Sequence, residues 1–136
     1  MRVVLDTNVL ISGTFWIGDS FRILNLVDSR KIVLILSKEI LEEYDRVVHS
    51  DEIMEKSAYR EERVSVMRKL FMISEMVTPT TRVQIIKDDP DDNKFLDAAI
   101  EGRAKYVVSQ DRHLLNLKDF RSIVILEPKE FLLLLQ

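Results

Sequence analysis

The sequence predicts an α/β fold, a three-layer α/β/α sandwich around a mostly parallel central sheet. Two observations carry that expectation. Short β-branched runs alternate along the chain with longer stretches of helical periodicity. The runs are also continuously apolar, as strands covered on both faces should be. A third observation sets the domain organisation. No repeat, low-complexity tract or linker divides the 136 residues, so one domain spanning 1–136 is expected.

The elements follow in order. Arg2–Leu5 reads as a buried strand, and Ser20–Ser29 as a helix with Phe21, Leu24 and Val27 spaced about one turn apart. Ile32–Leu36 (I-V-L-I-L) is a second strand, and Ser37 is an N-cap candidate for the helix Lys38–His49. A more charged helix is expected over Ala58–Met76, with Val64, Met67, Leu70 and Phe71 as its core-facing stripe and Pro79 beyond its end. Val83–Ile86 (V-Q-I-I) reads as a strand leading into D-D-P-D-D. Asp91–Arg103 is a helix, Tyr106–Ser109 a strand and His113–Leu117 a short helix. Ser122–Leu126 is the last strand, and Pro128 suits the first turn of a helix running to Leu135.

Composition narrows the class. Hydrophobic residues are 46% and charged residues 32% of the chain, as in soluble globular domains. The longest apolar run is far shorter than the ~20 residues a membrane span needs, and no secretory segment is seen, so no membrane partner and a cytoplasmic location are expected. There is no cysteine, which removes disulfide and thiolate–metal chemistry and is compatible with a reducing compartment. The formal net charge of -3 argues against a simple electrostatic nucleic-acid binder. It is compatible with an enzyme whose carboxylates are neutralised by metal.

Four acids stand where ligands of such a fold gather, beyond the carboxyl ends of the strands. Asp6 follows V-V-L directly and interrupts an apolar run, and Asp111 follows Y-V-V-S-Q. Either alone also reads as a helix cap or a turn former. On the helix Lys38–His49, Ile40, Leu41, Tyr44, Val47 and Val48 share a face, and Glu43 lies at its edge, about 40° from Val47, while Glu42 points to solvent. Glu43 alone also reads as a partner for Arg46 or Lys38. Asp92 projects along the inward face made by Phe95, Leu96, Ala98 and Ala99, and Asp97 points the other way. Asp92 alone also reads as a first-turn acid favoured by the helix dipole. A single explanation covers all four: a carboxylate cluster for a hard divalent cation, Mg²⁺ or Mn²⁺, which takes oxygen ligands.

The segments D-T-N-V-L-I-S, S-K-E-I-L-E-E-Y, D-D-P-D-D-N-K-F-L-D-A-A, V-V-S-Q-D-R-H-L-L and V-I-L-E-P-K-E-F-L occur in this order across almost the whole chain. Together they resemble the PIN-domain nucleases, and within them the prokaryotic VapC-like branch of toxins from toxin–antitoxin pairs. The resemblance implies an α/β/α sandwich with an acidic pocket that holds Mg²⁺ or Mn²⁺ for RNA cleavage. The family's four acids fall on Asp6, Glu43, Asp92 and Asp111, as catalytic and metal-holding groups, with Glu42 the alternative register for Glu43. Asn8 and Ser109 match its supporting polar positions, and Asp88 and Asp91 are additional or water-mediated ligands by the same pattern. Gln110 departs from the Gly or Asn usual there. The implied reaction is hydrolysis of RNA by a cation-activated water, leaving 5′-phosphate and 3′-hydroxyl ends. The implied partners are RNA, a small antitoxin protein and a second copy of the chain.

Other features are less specific. Arg60, Arg63, Arg68 and Lys69 sit on the charged helix as candidates to track a phosphate backbone, or as an ordinary solvated face. Phe15 and Trp16 are read in a loop, stacking on a base or, by preference, buried. His49 and His113 are isolated, which disfavours zinc. Two other readings compete with the nuclease. A haloacid-dehalogenase-type phosphatase also puts Asp after its first strand, but uses D-x-D where this chain has Asn8. A non-catalytic RNA- or protein-interaction module would keep the fold without the chemistry.

Overall fold

The computed structural model describes residues 1–51, 53 and 60–136. In chain order it places β1 (Arg2–Leu5), α1 (Thr7–Phe15), α2 (Asp19–Asp28), β2 (Val33–Ser37) and α3 (Lys38–Val48). Then come α4 (Arg60–Met72), β3 (Glu75–Val77), a 3₁₀ turn (Pro90–Asp92), α5 (Asn93–Glu101) and β4 (Tyr106–Val108). The chain closes with α6 (Arg112–Leu115), β5 (Asp119–Phe120), β6 (Ile123–Leu126) and α7 (Pro128–Leu134).

The sheet order is β3-β2-β1-β4-β6-β5. Every pairing is parallel except that of the two-residue edge strand β5 with β6. Val3, Val4 and Leu5 of the central β1 are all fully buried, which explains why the strand is apolar throughout rather than alternating. On one face α5 lies against β1, β2 and β4; α1, α2 and α7 pack together as a second group. The result is the expected three-layer α/β/α sandwich. From β1 the chain moves outward through β2 to β3, then returns on the other side of β1 as β4. That reversal opens a crevice at the carboxyl ends of β1 and β4. Asp6 leaves one strand there, and Ser109 to Asp111 leave the other.

Several elements differ from the expectation. The residues after Asp6 form a helix, α1, and Asp6 itself caps it by accepting from the Val9 N–H at 2.8 Å. Six of its nine residues are buried, so it lacks the two-faced pattern by which helices are recognised. Gly13 makes room for that burial: a Cβ there would lie 2.3 Å from Leu24 Cδ1 of α2. Phe15 ends this helix partly buried against the core, whereas Trp16 is 51% exposed rather than buried. The helix expected over Ala58–Met76 is described from Arg60 and stops at Met72; Glu75–Val77 is edge strand β3, and Ala58 and Tyr59 lie outside the described residues.

Val83–Ile86 is not a strand. The N–H groups of Val83 and Ile86 donate instead to Asp97 Oδ1 (2.8 Å) and Asn93 Oδ1 (3.0 Å) on α5. This segment covers the face of α5 that was expected to meet solvent, so Asp97 is buried. Its carboxylate is satisfied there by the Val83 N–H and by Arg82, whose Nη1 lies at 3.6 Å. Arg112–Leu115 and Pro128–Leu134 form the last two helices close to their expected positions, and β6 begins one residue later than expected, at Ile123.

Candidate functional site

Asp6, Glu43, Asp92 and Asp111 line one cleft of about 180 Å³, together with Thr7, Asn8, Asp89 and Phe95. Each arrives by a different local device. Asp6 is placed by the end of β1, where its N–H donates to Val108 O of β4 at 3.0 Å. Its carboxylate is only 3% exposed. Oδ1 accepts from the Val9 N–H; Oδ2 accepts from Ser109 Oγ and from the Gln110 N–H at 3.3 Å. Burial raises the Asp6 pKa to about 6, against the lowering pull of those three donors.

Ser109 is fully buried and joins two of the acids. Its hydroxyl donates to Asp6 and accepts from the Asp111 N–H at 2.8 Å. Asp111 is also the cap of α6, with Oδ1 accepting from the His113 N–H at 2.7 Å. The cap reading and the cleft reading of Asp111 are thus both geometrically true, and the same holds for Asp6.

Glu43 comes from α3, whose start is fixed by Ser37 accepting from the Ile40 N–H. Oε1 accepts from Thr7 Oγ1, and Oε2 accepts from Lys94 Nζ at 2.8 Å. The neighbouring Glu42 is exposed and faces Lys38 at 3.9 Å, outside the cleft lining. Lys94 is itself buried and also reaches Asp91 at 2.5 Å. Burial opposes its charge, yet the bonds and charges of Asp91 and Glu43 hold its pKa above the usual lysine value. The same Lys94 contact lowers the Asp91 pKa.

Asp92 lies in the 3₁₀ turn, is 7% exposed, and its Oδ2 has no hydrogen-bond partner among the described residues. Burial, close contact with the Asp111 carboxyl and the charges of Asp111, Asp89 and Glu43 push its pKa well above the usual carboxylate range. Carboxylate oxygens of Asp89, Asp92 and Asp111 lie within 4.8 Å of one another. Ligands on opposite sides of Mg²⁺ stand about 4.2 Å apart, so this spacing is close to what one hard cation draws together. With one buried oxygen unpartnered and the donor set all carboxylate, the residues fit Mg²⁺ or Mn²⁺.

The remaining expected residues are distributed unevenly. Asn8 is exposed on the rim of the cleft and Ser109 is buried beneath it. Asp88 is 85% exposed and faces His113 at 3.9 Å; Asp91 is 65% exposed and turned to Lys94. Neither lines the cleft. Arg60, Arg63, Arg68 and Lys69 lie on α4, away from the cleft lining, with Arg60 paired to Glu61 and Arg63 beside an apolar groove with Val66 and Met67. His49 is exposed and bonded to its own helix at Asp45 O.

Sequence reasoning missed Thr7, Asp89 and Lys94. Asp91 and Lys94 stand three apart on a helical start, a local signal that was available. The Lys94–Glu43 pair spans 51 positions and has no local signature.

The chain is 28% identical over 141 residues to an uncharacterized protein of Methanocaldococcus jannaschii, with 97% of this chain and 90% of that protein covered. Among solved structures it is similar to a chain in the crystal structure of VapBC2 from Rickettsia felis bound to a DNA fragment from their promoter. That match has a TM-score of 0.60 and 15% identity over 92% of this chain and 97% of that one, a likeness of fold. Residues 2–113, which carry all the cleft acids, match the PIN domain. The chain belongs to the PIN domain family.

Proposed function

We propose that this protein is a metal-dependent endoribonuclease acting as a single domain over residues 1–136. The observation that carries the reading is the convergence of Asp6, Glu43, Asp92 and Asp111 on one cleft that holds a buried, unpartnered Asp92 oxygen. PIN domains are generally nucleases, which sets the reaction class. Asp6, Asp92 and Asp111, with Glu43 directly or through water, would hold Mg²⁺ or Mn²⁺. When bound, such a cation lowers the pKa of a water and offsets charge on the scissile phosphate and leaving oxygen.

The chain's own groups supply the positioning. Ser109 fixes Asp6 relative to Asp111, so two acids from neighbouring strands move as one unit. Thr7 and Lys94 clamp both oxygens of Glu43. Asn8, exposed on the rim, would meet the substrate at the mouth of the cleft. The products are 5′-phosphate and 3′-hydroxyl ends.

The fold likeness to VapBC2 favours a place in a toxin–antitoxin pair with a small antitoxin protein as partner, and our reading adds a second copy of the chain in a homodimer. An RNA-processing role uses the same site. Among the described residues no helix is long and apolar enough to cross a membrane.

The test is cleavage of a mixed-sequence structured RNA with Mn²⁺, with Mg²⁺ and with excess chelator, wild type beside Asp6→Asn. Cleavage that needs metal and disappears in the variant is expected. Full metal-dependent activity in Asp6→Asn would sink the cluster.

A further inference from the structure

The acids of the cleft differ in what already neutralises them. Both oxygens of Glu43 are taken, one by Thr7 and one by the Lys94 ammonium. That side of the cleft carries its own positive charge. Asp92 has no such partner: it is buried, and its Oδ2 accepts from nothing among the described residues.

Asp89 offers a carboxylate oxygen within 4.8 Å of one of Asp92. It precedes Pro90, which restricts it to extended backbone, and it sits at φ -138 and ψ 83. Its carbonyl accepts from the Asp92 N–H at 3.0 Å, closing the 3₁₀ turn. Residues three apart eclipse one another in a 3₁₀ turn, so the turn presents Asp89 and Asp92 in the same direction. Asp88 and Asp91, one position earlier in each pair, are directed outward by the same turn. Asp111 completes a trio whose oxygens lie within 4.8 Å.

We propose that Asp89 is a direct ligand of the divalent cation, in a set with Asp92 and Asp111, and that Lys94 keeps Glu43 out of that set. This rests on the reading of the cleft as a metal site. Replacing Asp89 would then weaken the ion directly, whereas Glu43 would act on it from a distance.

The experiment is Mn²⁺ binding to the full chain by calorimetry, without RNA, for wild type, Asp89→Asn, Asp88→Asn and Glu43→Gln. Melting in excess chelator checks that each variant is folded. Glu43→Gln is expected to lose about tenfold in affinity, as a group acting through others does, and Asp89→Asn distinctly more. Asp88→Asn should bind as wild type does. Wild-type affinity in Asp89→Asn, or a larger loss in Glu43→Gln, would overturn the assignment while leaving the metal site standing. Absence of Mn²⁺ binding in wild type would overturn both.

Discussion

Around Asp6 three donors converge on a buried carboxylate, while around Asp92 an equally buried carboxylate keeps an oxygen with none among the described residues. Both lose water to a similar degree, at 3% and 7% exposure. Yet the pKa of Asp6 rises only to about 6, and that of Asp92 is pushed further by its carboxylate neighbours. The difference lies in hydrogen bonding and charge rather than burial. A fold can seat an acid in its core by surrounding it with donors, or leave it short of them, where a cation would compensate it. This cleft does one of each, and Glu43, clamped by Lys94, is a third case in which the cation is covalently part of the chain.

The comparison breaks most sharply at Lys94. Lys94→Met should turn the Glu43 side into a second uncompensated region and destabilise the protein by about 2–3 kcal/mol in chelator, since the pair is mostly buried. Chemical denaturation reads this directly, and Lys94→Arg should recover part of the loss. An unchanged midpoint would mean that the ammonium compensates nothing.

Asp92→Asn should act in the opposite direction, stabilising the metal-free protein by about 1–2 kcal/mol at neutral pH. The sign follows from linkage. Raised carboxyl pKa values mean that the native state binds more protons than the unfolded chain, so stability falls as pH rises. For Asp6 the fall runs from 3.8 to about 6, and Asp92 extends it to higher pH. The variant's gain should therefore vanish near pH 4, and saturating Mn²⁺ should reverse the wild-type trend. Melting curves between pH 4 and pH 8, with chelator and with Mn²⁺, check both statements.

Ser109→Ala gives the smallest and most informative effect. It removes a donor from Asp6 and an acceptor from the Asp111 N–H, costing about 1 kcal/mol. It should also raise the Asp6 pKa above its present value, which NMR titration of the carboxyl would follow. A static Asp6 pKa would show that Ser109 does not set it.

How far the sequence discloses these features depends on the range of the forces involved. β1, β2, β4 and β6 were legible because their burial on both faces writes itself as uninterrupted β-branched runs. α3 was legible through its apolar stripe and the Ser37 cap. α1 was not, because burial on nearly every side erases the helical period, although Asp6 by itself also read as a helix cap. Val83–Ile86 has a strand's composition, but Asp97 and Asn93 of α5 take its N–H groups.

In the cleft, strand ends and helix faces pointed to Asp6, Glu43, Asp92 and Asp111 from local geometry alone. Lys94 needed a partner 51 positions away, and Asp89 needed the Pro90 turn to choose between adjacent acids. Neither choice is made by periodicity.

The seating of β4 beside β1 has a consequence for the chain as it is synthesised. Asp6 is made 103 positions before Ser109, whose hydroxyl orients it. Strands β2 and β3 can join β1 early; the wall carrying Ser109 and Asp111 cannot. The cleft is therefore incomplete until the chain has been made past Asp111, and until then the acids of its first-made wall stand without the groups that orient them.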